Sequence, residues 1–152
     1  MKRLFATALI AAIATSGAAI AQDYSGQLKA RQGQFRVLAI NLGILGGMAK
    51  GEVEYDAAAA QAAADSLVAV SMINQGPLWP MGSDEMGADG TRAKASIWDD
   101  ADDFAAKWSD LGAAAKEMQA AAGTGQEALG PMMGKVGGTC KACHDAYRAP
   151  QS

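Results

Sequence analysis

One histidine and two cysteines stand among 152 residues, so metal or thiol chemistry has very few side chains to work with. A single histidine rules out a metal held by two. Positive charge is scarce as well: 13 Lys and Arg face 16 Asp and Glu, a formal charge of −3. A mildly acidic chain has no electrostatic case for binding nucleic acid. Long apolar runs are missing too. Leu4 to Ile13, apolar apart from one Thr, is well short of the roughly 20 residues that span a bilayer. No stretch reads as a strand. What remains is rich in Ala, Leu, Met, Glu, Gln and Lys, with apolar residues recurring at helical spacing.

The N-terminus reads as a targeting segment. Lys2 and Arg3 precede the apolar stretch, and Ala19-Ile20-Ala21 puts small residues where a signal peptidase reads. Residues 1–21 are therefore expected to be a cleaved signal peptide rather than a membrane anchor. Cleavage removes two cations and no acid, which moves the formal charge from −3 to −5. Residues 22–152 then form one exported domain, with enough chain for its own core.

Four helices are predicted. The first runs from about Ser25 to Ala49 and stops at Gly51, carrying two apolar stripes. Leu28, Phe35, Leu38, Leu42 and Leu45 make one; Val37, Ile40, Ile44 and Met48 make the other. Together they cover more surface than one core needs, which points to a second subunit. A second helix follows Asp56 as N-cap and ends near Asn74-Gln75-Gly76. Residues 75–95, with Pro77 and Pro80, read as a long connection. Ser96-Ile97-Trp98-Asp99 resembles a capping box opening a third helix that ends at Gly123. Thr124-Gly125-Gln126-Glu127 offers another, opening a fourth helix that reaches Tyr147 or Arg148. Pro131 either kinks this last helix or marks the first residue of its regular part. The fold class is all-α, an antiparallel four-helix bundle.

Both cysteines and the histidine fall within Cys140-Lys141-Ala142-Cys143-His144, the attachment pattern for a c-type haem. Two thiols three residues apart each reach one vinyl group on a haem edge, and the adjacent imidazole becomes the axial iron ligand. Three ligands leave a zinc site incomplete, with no other Cys or His to close it. A redox dithiol ordinarily sits at a strand-to-helix junction, and no strand precedes this one. A disulfide across two intervening residues is strained inside a helix. The expected cofactor is one covalent haem c, bound near the C-terminal helix through Cys140 and Cys143, with His144 on the iron. No second histidine is left for the sixth position, and no Met follows His144. Met48, Met72, Met81, Met86, Met118, Met132 and Met133 remain, and a Met at helical spacing is more often core filler than ligand.

Gly137 through Arg148 resembles the haem helix of the class II cytochromes c, the cytochrome c′ group. Arg31-Gln32 is similar to that family's first helix, Lys50-Gly51 with Tyr55-Asp56 to its first turn, and Ile97 through Ala101 to the start of its third helix. This family is among those from which the rules of four-helix bundles were drawn, so the agreement in fold is not independent. The resemblance implies that Phe35, four residues after Arg31, faces the sixth iron position. Family members with Met there are six-coordinate, low-spin electron carriers; those with an apolar residue are five-coordinate and high-spin. It further implies a haem environment of Arg31 near a propionate, Trp98 near the ring and Arg148 near the proximal face.

Phe35 cannot bind iron, and an apolar distal pocket gives dioxygen no hydrogen-bond donor. The expected function is capture of small diatomic gases, nitric oxide first and carbon monoxide next, at five-coordinate iron that also changes redox state. A six-coordinate periplasmic electron carrier is the alternative. No distal acid or base can be assigned, so an enzyme is not expected. The expected partners are a second copy of the chain and a periplasmic redox protein, with no membrane contact after cleavage. Lys135, Lys141 and Arg148 form a candidate basic rim at the haem edge; Trp79 and Trp108 are assigned to packing.

Overall fold

The computed structural model describes residues 23–151; the expected signal peptide lies outside them. Helix α1 spans Ser25–Ala49, as the apolar stripes predict. Gly51, at a φ of 72°, takes the left-handed conformation that closes its C-terminus. Helix α2 spans Ala57–Ser71, with the Asp56 side chain accepting the Ala59 N–H at 2.9 Å.

Three boundaries differ from the sequence reading, each for a local reason. Helix α2 ends before residues 74–76 because the Trp108 indole donates to the Ser71 carbonyl at 2.9 Å. A continuing helix would need that carbonyl for the Gln75 N–H. The expected third helix is broken into a single turn, α3 (Ser96–Asp99), and a long α4 (Ala101–Ala122). Asp100 makes the break: its carboxylate caps the Asp103 N–H at 3.2 Å, and the buried Ser96 hydroxyl has no partner. Helix α5 (Gln126–Tyr147) takes Gly125 as its N-cap, while the Thr124 hydroxyl donates back to Ala121 of α4. Pro131 lies inside α5 and faces solvent, so the carbonyl it leaves without a donor is open to water.

The four long helices form a closed ring in the order α1, α2, α4, α5, each packing on its two neighbours. Short turns make α1 and α2 antiparallel, and likewise α4 and α5. Their shared core holds Leu45, Leu67, Met118, Leu129 and Val136, all fully buried, among buried alanines of α2 and α4 that let the helices approach closely.

The connection from α2 to α3 crosses one end of this bundle. Tyr24 donates to the Met81 carbonyl, Arg31 to that of Ser83 and Gln32 to that of Gly90, fixing the connection to the start of α1. Ala93 and Arg148 pair as an isolated antiparallel bridge, which ties it to the C-terminus as well. The turn is tight enough that a Cβ on Gly87 would lie 2.0 Å from the Gly82 carbonyl oxygen, so only glycine fits.

Candidate functional site

That end of the bundle holds a cavity of about 590 Å³, well within the range of cofactor pockets. Cys140, Cys143 and His144 line it from α5, because steps of three and four residues keep side chains on one helix face. The same rule places Leu28, Arg31, Phe35 and Leu42 on the wall that α1 supplies. Phe104 and Trp108 come from α4, and Trp79, Thr91 and Arg92 from the connection.

Both thiols are free and partly buried. Burial pushes both above the ordinary thiol range, and for Cys143 the neighbouring Cys140 adds to the effect. They stand in the cavity wall as S–H groups rather than thiolates.

Arg31 is the most informative residue of the site. Only 3% of its surface is exposed, and burial lowers the pKa of its guanidinium. Nη2 donates to the Ser83 carbonyl at 3.1 Å, and the guanidinium sits 4.3 Å from the Trp79 ring centroid. Nη1 is buried with no partner. A buried cation with an orphaned N–H is costly until a carboxylate completes it. Trp79 is itself held, its indole donating to Gln75 at 3.0 Å while Gln75 and Gln34 exchange amide hydrogen bonds.

An aromatic stack continues from Trp79. Its ring meets Phe104 edge-on at 5.0 Å, and Phe104 meets Tyr147 at 5.3 Å. Tyr147 donates to the Asp103 carboxylate at 2.6 Å; burial and then that carboxylate raise its pKa, so it stays protonated. Phe35 packs edge-on against Trp108 with centroids 6.2 Å apart.

Six of the seven residues singled out from sequence line this one cavity: Arg31, Phe35, Cys140, Cys143, His144 and Arg148. Trp98 stands one layer behind, its indole donating to the Trp79 carbonyl at 3.0 Å. Trp79 and Trp108, assigned to packing, are wall residues. Of the expected basic rim, Arg148 lines the wall, whereas Lys135 and Lys141 do not and pair with Glu117 and Asp145. Arg36 and Arg92, which sequence reasoning missed, stand there with Arg31 and Arg148. No acid, lysine or methionine lines the cavity among the described residues.

The donor set fits a haem. It combines two adjacent thiols, an imidazole, an apolar wall and an unsatisfied buried guanidinium for a carboxylate. A helical bundle that brings a Cys-x-x-Cys-His segment to such a cavity defines a c-type haem protein of the four-helix class. The chain belongs to the cytochrome c′ family, whose model, described as Cytochrome C', matches residues 26–148. It is 44% identical to the cytochrome c′ of Cereibacter sphaeroides over 97% of this chain and 98% of that one. It is also similar to the solved cytochrome c′ of Rhodobacter sphaeroides, with a TM-score of 0.81 over 86% of this chain and all of that one, at 44% identity. A nitric oxide complex of a mutant cytochrome c prime from Alcaligenes xylosoxidans aligns at a TM-score of 0.73 and 30% identity, covering 85% and 98% of the two chains. A carbon monoxide-bound variant of that protein aligns at the same TM-score and identity, covering 84% and 98%. Like its family, the chain carries one covalent haem c.

Proposed function

We propose that the chain captures nitric oxide, and less readily carbon monoxide, at a haem iron held by His144 alone. One observation carries this reading. Protein iron ligands come from His, Met, Cys and Tyr. Among the described residues lining the cavity, His144 is the only one of these left free. No Met lines it, the two thiols are needed for attachment, and the Tyr147 phenol is committed to Asp103. The alternative six-coordinate carrier would need a sixth ligand, and no Met among the described residues lines the wall to support it. The gas-bound structures from Alcaligenes xylosoxidans support the same reading.

The haem supplies an iron atom that binds small ligands and takes or gives one electron. Cys140 and Cys143 each add across one vinyl group, sulfur bonding to one carbon and the thiol hydrogen passing to the other. Arg31 Nη1, buried without a partner, would hold a propionate and so end its own isolation in the interior. Phe35, which lines the cavity, would stand on the distal side, where it would give no hydrogen bond to dioxygen and hinder bulky ligands. The role is binding and one-electron change rather than turnover, in the periplasm after removal of residues 1–21. The test is uptake of one nitric oxide per ferrous haem.

We further propose that the chain forms a homodimer through α1. Val37, Ile40 and Ile44 are 43%, 64% and 41% exposed on one helix, and Val53 at its C-terminal turn is 56% exposed. Isolated apolar residues on a surface need no partner, but a row of this kind does. Ile40→Glu with Ile44→Glu is expected to give a monomer in sedimentation with the haem spectrum unchanged. A parent protein that already sediments as a monomer would contradict the proposal.

A further inference from the structure

The cations of this protein are sorted by type. All four arginines beyond the N-terminal segment, Arg31, Arg36, Arg92 and Arg148, line the haem cavity, and none of the seven lysines there does. Lys50, Lys107, Lys135 and Lys141 make ion pairs with carboxylates, whereas no arginine does among the described residues. Guanidinium groups bind carboxylates through two parallel hydrogen bonds, which an ammonium cannot do. The wall therefore concentrates the side chain best suited to carboxylates and leaves it unpaired.

A haem brings two carboxylates, and Arg31, buried with a free Nη1, accounts for one of them. Even if a second arginine takes the other, two remain. Arg36 and Arg148 are exposed and Arg92 is half-buried, so all three lining residues also meet solvent. Among the described residues no acid lines the wall to neutralise them, although the chain as a whole is acidic. Local positive charge set in a negative body is the arrangement that steers and orients an oppositely charged partner.

We infer that Arg36 and Arg92 form the docking surface for a redox partner protein that presents an acidic patch beside the haem edge. The partner gives up one electron and ferric iron gains it. The inference rests on the haem site proposed above and is independent of gas binding.

The test titrates the haem-loaded protein calorimetrically with a small copper protein bearing an acidic patch, its copper replaced by zinc so that no electron moves. Affinity is expected to fall about tenfold as ionic strength rises from roughly 0.01 to 0.15 M, where screening becomes short-ranged. R36Q and R92Q are each expected to weaken binding roughly two- to fivefold. K116Q, at an exposed lysine away from the cavity, leaves it unchanged. Optical spectra and gas uptake of the variants separate a lost rim from a damaged haem site. Salt-independent binding, an equal loss in K116Q, or undiminished binding of a copper protein with its patch converted to amides would overturn the inference. So would binding to phosphatidylglycerol vesicles in place of the acidic protein.

Discussion

Replacing Cys140 and Cys143 together by serine is expected to give a chain from which acidic acetone extracts all haem. The parent chain keeps its haem through the same treatment. A serine hydroxyl does not add to a vinyl group under the conditions in which a thiol does, so the double variant has no covalent tether. The consequences reach the fold. Without haem, the side chains around a cavity of about 590 Å³ lack the contacts that would fill it, and Arg31 Nη1 keeps no partner. A buried unpaired polar group alone costs about 1–3 kcal/mol, against a total stability of about 5–15 kcal/mol for a domain. The haem-free chain is therefore expected to lose its cooperative thermal transition while keeping much of its helix. Intact-mass measurement and thermal circular dichroism check both halves. Haem that survives extraction in the double variant would show that the attachment lies elsewhere.

The second large effect is expected at Phe35. If this ring guards the iron, an entering gas must displace it from its edge contact with Trp108. Fully burying a Phe is worth about 1.5–3 kcal/mol, and Phe35, 39% exposed, has roughly 1–2 kcal/mol of that to lose. At about 1.4 kcal/mol per factor of ten, Phe35→Ala should raise the nitric oxide association rate roughly five- to thirtyfold. Phe35→Leu should give a smaller gain, because a branched side chain still fills part of the space. Stopped-flow mixing of the ferrous protein with gas measures both. Unchanged association rates in Phe35→Ala would remove Phe35 from the distal path.

Some of this was legible before any coordinates. The five residues Cys140 through His144 name their own chemistry, because the chemistry demands those types at that spacing. Helix α1 was readable to its ends, since a long apolar stripe closed by glycine has few other solutions. The break at Asp100 was not readable. Ser96 and Asp99 satisfy a capping pattern in sequence, while the choice of Asp100 goes with the burial of the Ser96 hydroxyl, which only the folded chain fixes. The end of α2 escaped notice for a similar reason, because Trp108 captures the Ser71 carbonyl from 37 residues away. Arg36 and Arg92 are the clearest omission, since only Arg31 and Arg148 were expected near the haem. Arg31, Arg36, Arg92 and Arg148 are scattered along the chain, and only the closed ring of helices with its stitched connection gathers them. The signal that was present, every arginine beyond the N-terminal segment serving one place, has meaning only once that place is known.

The most direct measurement is the optical spectrum of the purified protein, oxidised and then reduced, before and after nitric oxide is added. A high-spin ferrous spectrum that converts fully on uptake of one nitric oxide per haem is the predicted result. Sharp, split low-spin bands that ignore the gas would mean a sixth ligand from the protein and would contradict the account.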